Sequence, residues 1–282
     1  MMLKHFRKNM DYKLLDTGNK RRLEKFGNYI VDRPDPEVMW SKGLSEEEWK
    51  KADAVFDGIW RIKNKFPKNW QINYGDLKLN LKLTPFKHTG IFPEQQFEWE
   101  IMKKHITNSK SQPNILSLFG YTGVASLVAL SSGAKVTHVD GSKPAITWFR
   151  ENQTTSNLID KPCRLILDDC QKFVEREVKR GNKYDGIVMD PPVYGHGPNG
   201  EVWNFTKDFP KLLDNVTKIL TDNPLFLIIN AYAVSTSPVT IENMLREKLA
   251  KFKGLISSGE LFLEEESLNR KLTTGIWVAW QK

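Results

Sequence analysis

Two cysteines, Cys163 and Cys170, in 282 residues are too few for a disulfide framework, and neither belongs to a CxxC pair. The five histidines show no metal-ligand spacing, so no metal is expected. No run of about 18 apolar residues occurs, and no membrane-spanning helix is expected. Met1-Met2-Leu3-Lys4-His5-Phe6-Arg7-Lys8 lacks the apolar core of a signal peptide, which makes the cytoplasm the expected location. Two nucleotide motifs are also missing. Without GxxxxGK[ST] or a full GxGxxG, neither a nucleoside triphosphatase nor a nicotinamide enzyme fits.

What is present describes an ordinary globular chain, 40% apolar and 27% charged, long enough for one large α/β domain and a smaller one. Lysine plus arginine exceed aspartate plus glutamate by 42 − 34 = 8. Such a balance favours a polyanionic partner, RNA above all, through phosphate contacts and counterion release.

Residues 1–20 are polar and basic and read as a loosely held arm. From Arg21 to Phe86 the chain reads as a small α+β domain with possible RNA contact. Leu23, Phe26, Tyr29, Ile30 and Val31 approach a strand pattern that Arg33-Pro34-Asp35-Pro36 interrupts. Ser45 followed by Glu46-Glu47-Glu48 reads as a capped helix start, and Trp49, Ala52, Phe56 and Ile59 or Trp60 continue at helical spacing to just before Phe66-Pro67. Trp70 to Tyr74 and Leu77 to Leu83 alternate around Gly75-Asp76 as a hairpin. Trp40, Trp49, Trp60 and Trp70 are read as core packing.

Residues 87–282 form the larger domain. Apolar strands and amphipathic helices alternate there, which predicts a doubly wound, mostly parallel seven-stranded sheet with ligands beyond its carboxyl ends. The segment Asn114-Ile115-Leu116-Ser117-Leu118 is a buried strand that runs into Phe119-Gly120-Tyr121-Thr122-Gly123 and an apolar helix, a turn suited to a nucleotide-like ligand. Asp140, Asp168-Asp169 and Asp190 each follow a later strand and should line one crevice. Asp140 lies where a carboxylate accepts from both hydroxyls of a ribose.

A ribose-bearing cofactor without phosphates points to S-adenosylmethionine, whose methyl transfer needs no metal and depends on positioning the acceptor. Asp190-Pro191-Pro192-Val193-Tyr194 fits that task. The prolines are rigid and hold the Asp190 carboxylate and the following carbonyls where they accept from an amino group or a base edge. Tyr194 is placed to stack on that base.

Four stretches carry a family resemblance: Leu118-Phe119-Gly120-Tyr121-Thr122-Gly123, Thr137-His138-Val139-Asp140-Gly141, Asp168-Asp169-Cys170, and Tyr184-Asp185-Gly186-Ile187-Val188-Met189-Asp190-Pro191-Pro192. They resemble class I S-adenosylmethionine-dependent methyltransferases, and more narrowly the bacterial group related to large-subunit ribosomal RNA methyltransferases. His88-Thr89-Gly90-Ile91-Phe92-Pro93-Glu94-Gln95 is similar to that group's segment ahead of the cofactor fold. The resemblance assigns Phe119, Gly120, Tyr121 and Gly123 to the methionine side of the cofactor, Asp140 to the ribose and Asp169 to the adenine amino group. It sets Asp190 near the reacting methyl and lets Phe92 and Gln95 close over the cofactor. In one respect the chain departs from some relatives, because the N-terminal part does not match the RNA-binding domain they begin with.

A second departure concerns chemistry. Methylation at cytosine carbon 5 needs a thiolate nucleophile, and neither the turn after Met189 nor residues 230–235 contains cysteine. Cys163 and Cys170 read as ordinary buried thiols, so a base nitrogen is the expected acceptor. Protein or small-molecule acceptors are alternatives, as is a non-catalytic RNA-binding or ribosome-assembly factor on the same fold. Residues 195–202, with three glycines, read either as a mobile acceptor-gating loop or as plain surface, with Trp203 anchoring their return and His196 a minor candidate for proton transfer.

Overall fold

The computed structural model describes residues 9–63, 66–232 and 234–282. Residues 1–8 of the expected arm, and Ala233 of the turn at residues 230–235, lie outside the described residues. The chain divides into two compact units, residues 1–96 with 262–274, and residues 97–261 with 275–282.

In the first unit, β1 (Tyr12–Gly18), β2 (Arg21–Phe26), β3 (Tyr29–Pro34), β4 (Ala54–Asp57) and β5 (Ile59–Ile62) form one five-stranded sheet in that order. A one-turn helix, α1 (Glu46–Trp49), precedes β4. Strands β6 (Trp70–Tyr74) and β7 (Leu77–Leu81) make the predicted hairpin, with Trp70, Ile72 and Tyr74 buried and Gln71 and Asn73 exposed.

Two expectations are corrected. Residues 12–18, assigned to the arm, form β1, because Leu14 packs with Val38, Leu263 and Leu272 while the buried Asp16 carboxylate receives Gly43 N, Leu44 N, Trp49 Nε1 and Ser267 Oγ. The long helix expected from Ser45 stops after one turn. Ser45 does cap it, accepting from Glu48 N. Beyond it Val55, Phe56, Ile59 and Trp60 favour strand, and Gly58, at φ 74°, turns β4 back into β5. Trp49 and Trp70 are buried, and the indoles of Trp40 and Trp60 are half-buried and donate to Thr17 Oγ1 and Thr84 O, which agrees with packing roles.

The second unit opens with α2 (Gln96–Thr107) and continues as β8 (Asn114–Leu118), α3 (Val124–Ser131), β9 (Lys135–Asp140), α4 (Lys143–Thr155), β10 (Cys163–Leu167), α5 (Cys170–Arg180) and β11 (Gly186–Met189). A short hairpin, β12 (Tyr194–His196) and β13 (Val202–Asn204), leads to α6 (Phe205–Lys218), β14 (Phe226–Ala231), α7 (Pro238–Lys248), β15 (Leu255–Glu264) and β16 (Lys271–Gln281). The sheet has seven strands in the order β10-β9-β8-β11-β14-β16-β15. Neighbours from β10 through β14 are parallel, and β16 runs antiparallel to β14. This is the predicted doubly wound sheet.

The central strands β8, β11 and β14 are near-continuous apolar runs because both their faces are covered. One face packs Leu116, Leu118, Ile187, Met189, Leu227 and Ile229 against Phe173, Phe209, Leu213 and Leu245 of α5, α6 and α7. Helix α6 begins at Phe205, where Asn204 accepts from Lys207 N and caps it. Residues 195–202, expected as either a mobile gating loop or plain surface, contain a paired hairpin, with Gly197 N donating to Glu201 O across its turn.

Candidate active site

The order β9-β8-β11 makes the end of β8 the point where successive connections part to opposite sides of the sheet, the crevice in which such folds hold ligands. Residues 119–123 follow β8, Asp140 ends β9, Asp168 and Asp169 follow β10, and Asp190 follows β11. Four predicted turns are therefore neighbours along one carboxyl edge. Backbone bonds join them: Gly120 N donates to Val139 O at 3.1 Å, and Asp168 N to Asp140 O at 3.1 Å.

The glycine turn takes a left-handed course, with φ 54° at Phe119, 49° at Tyr121 and 84° at Gly123. It rests on a ring pair. His138 and Phe149 stack 4.3 Å apart at 10°; a Cβ at Gly120 would overlap His138, and one at Gly123 would overlap Phe149. Asn152 Nδ2 donates to Thr122 O at 3.0 Å from α4, and Phe119 N donates to Cys170 Sγ at 3.2 Å. Burial pushes His138 down to about 3, so the ring is neutral, and its Nδ1 pairs with Ser126 Oγ at 2.9 Å. No side chain caps the first turn of α3.

Asp140 is half-buried, and each of its oxygens has a backbone partner: Tyr121 N at 2.7 Å on Oδ2 and Ser142 N at 2.8 Å on Oδ1. Burial raises its pKa, and the two N–H donors act against that rise. Each oxygen keeps a second lone-pair direction, as a vicinal diol requires. Asp169 caps α5, accepting from Lys172 N at 2.8 Å. Asp168 is bound to Arg176 instead. Asp190 is half-buried, Pro191 buried and Tyr194 57% exposed, with its ring edge-on to His196 at 5.3 Å.

Phe92 and Gln95 belong to the first unit, where Gln95 N donates to Phe92 O in a 3-10 turn and Phe92 lies 5.4 Å from His88, ring to ring. His138, Phe149, Asn152 and Lys172 were not singled out from sequence. They touch the turns from elements distant along the chain, and no local motif marks such contacts.

The strand-end donors and acceptors discriminate among cofactors. Residues 119–123 hold no lysine or arginine, and four carboxylates, Asp140, Asp168, Asp169 and Asp190, stand on the other strand-end turns. This set suits a ligand bearing hydroxyl, amino and positively charged groups, and S-adenosylmethionine fits it better than a polyphosphate does. Among the described residues no group of three His, Cys, Asp or Glu side chains is arranged to hold a metal ion. No described helix is long and apolar enough to cross a membrane.

Fold and strand-end chemistry together define a doubly wound domain for a nucleoside-bearing cofactor. The family model described as "Conserved hypothetical protein 95" matches residues 91–223. The crystal structure of the SAM-dependent methyltransferase from Agrobacterium tumefaciens is 38% identical, with a TM-score of 0.93 over 96% of this chain and 90% of that one. A methyltransferase solved in complex with SAH, 17% identical, shares the fold with a TM-score of 0.76 over 97% of this chain and 76% of that one. The ribosomal RNA large subunit methyltransferase K/L of Shewanella frigidimarina is 31% identical over 148 residues, 52% of this chain. That match spans 20% of the Shewanella protein's length. The chain belongs to the S-adenosylmethionine-dependent methyltransferases, and its cofactor is S-adenosylmethionine.

Proposed function

We propose that the protein is a cytoplasmic enzyme that methylates a nitrogen of an RNA base, in ribosomal RNA. The observation that carries the choice of atom is the position of the two thiols. Cys163 starts β10, at the amino edge of the sheet and away from the strand-end turns, and burial pushes its thiol up to about 11. Cys170 is sealed in the core, with its sulfur engaged by Phe119 N and its pKa raised well above the ordinary value, first by burial and then by Asp140. Neither is suited to attack carbon 6 of a pyrimidine. The net charge of +8 and the ribosomal RNA named for the Shewanella relative support the substrate class.

When bound, S-adenosylmethionine supplies a methyl group on a positively charged sulfur. Phe119, Gly120, Tyr121 and Gly123 hold its methionine side, Asp140 the ribose and Asp169 the adenine amino group. Asp190, Pro191 and Pro192 form the acceptor-binding turn. Asp190 accepts an N–H of the base and directs the nitrogen lone pair, and Tyr194 stacks on the ring.

Purified protein with tritium-labelled cofactor tests this against ribosomal RNA, total protein and small-molecule fractions. Label in RNA, with binding that weakens steeply as salt rises, is expected. Label confined to the other fractions contradicts the substrate, and cofactor binding with no transfer contradicts the enzyme.

A further inference from the structure

One side chain touches both the cofactor turn and the Asp190 turn. Trp203, 5% exposed, lies opposite Gly195 in the short hairpin. Its indole Nε1 donates to Pro192 O at 2.6 Å, and its ring lies 5.2 Å from that of Phe119, tilted by 55°. The proline rings already fix φ at positions 191 and 192. Most of the remaining freedom of the turn is in ψ, and a part-buried hydrogen bond to the Pro192 carbonyl restrains the last of these. The next carbonyl, of Val193, accepts from Phe205 N at 2.9 Å. Both carbonyls at the end of the turn are thus bonded to the protein.

We propose that Trp203 is a positioning residue for methyl transfer, whose N–H orients the Asp190-Pro191-Pro192 turn and whose ring keeps that turn in register with Phe119. The proposal rests on reading the turn as the acceptor site.

Trp203→Phe keeps a ring against Phe119 and deletes the N–H. The test compares two ligands by calorimetry, so it does not depend on knowing the methyl acceptor. S-adenosylhomocysteine has no group where the methyl would be; sinefungin carries a protonated amine there and reports on the acceptors of the turn. In the variant, S-adenosylhomocysteine affinity is expected to stay near the wild-type value and sinefungin to weaken roughly tenfold, the size of one hydrogen bond to a charged group. Equal loss of both ligands, or loss of neither, overturns the proposal.

Should the variant fail to fold, hydrogen exchange of the Trp203 indole in the wild-type protein serves instead. Sinefungin should slow that exchange more than S-adenosylhomocysteine does, and equal protection would reject the role. Wild-type protein that binds neither ligand contradicts the cofactor site itself, and the role of Trp203 falls with it.

Discussion

Asp140 and Asp190 stand at the ends of β9 and β11, on either side of the 119–123 turn, and the proposal gives them different work. Asp140 is fixed by Tyr121 N and Ser142 N, and the proposal gives it to the cofactor. Asp140→Ala should weaken cofactor binding by roughly ten- to a hundredfold, the loss of hydrogen bonds to a charged group. Asp190→Ala should leave binding within a few-fold and lower the transfer rate about a hundredfold or more. Calorimetry and single-turnover labelling separate the two, and equal losses in both assays would contradict these assignments. Cys163→Ala and Cys170→Ala should each retain transfer; abolition in a folded variant would reinstate a thiol mechanism. At this scale the acids were legible, because each follows an apolar strand and the signal is local. The support beneath Gly120 and Gly123 was not, since His138 and Phe149 meet only once β9 and α4 have packed. Gly123→Ala should destabilise the protein by about 1–3 kcal/mol in denaturant titration, because a Cβ has no room beside Phe149 and φ is left-handed.

Among the elements, the large sheet was readable because period and composition agreed in every strand and helix, down to Pro144 in the first turn of α4. The segment after Ser45 misled because its apolar residues fall at helical spacing by coincidence. Its β-branched and aromatic content, and Gly58, point to strands, and tertiary pairing with β3 decides the outcome. The hairpin of β12 and β13 was hidden for another reason: a glycine-rich turn looks unstructured until its partners are in place. Its tip lies beside Gly141, next to Asp140, and Glu201 reaches Lys172 of α5 at 2.8 Å. That ion pair is exposed and worth little to global stability. It ties the hairpin tip, which lies beside Gly141, to the helix that Asp169 caps, so Lys172→Ala should speed both association and release of the cofactor in stopped-flow measurements while leaving the melting temperature unchanged. Unaltered rates would show that the hairpin does not gate exchange.

For the whole molecule, buried titratable groups set the acid response. His138 is held near 3 and His88 near 4 by burial, against an unfolded value of 6.5. Below pH 6.5 the unfolded chain binds protons that the folded chain refuses, so these two histidines make stability fall with pH until it passes their folded values. Glu94, raised to about 7 by burial, acts in the opposite direction between 7 and 4.5, where only the folded state takes up its proton. His138→Phe should therefore flatten the pH dependence of unfolding free energy between 6 and 4 by about 1.4 kcal/mol per pH unit relative to wild type. Parallel slopes for the two proteins would mean that His138 is charged in the fold. The net charge of +8 and the absence of cysteine from residues 190–195 both support the proposed methylation of a base nitrogen in ribosomal RNA. Its most direct test is mass-spectrometric mapping of modified nucleotides in ribosomal RNA from cells with and without the protein. The account predicts that one N-methylated base disappears when the protein is absent. An unchanged set of modifications, or loss of a carbon-5 or ribose methyl instead, would contradict it.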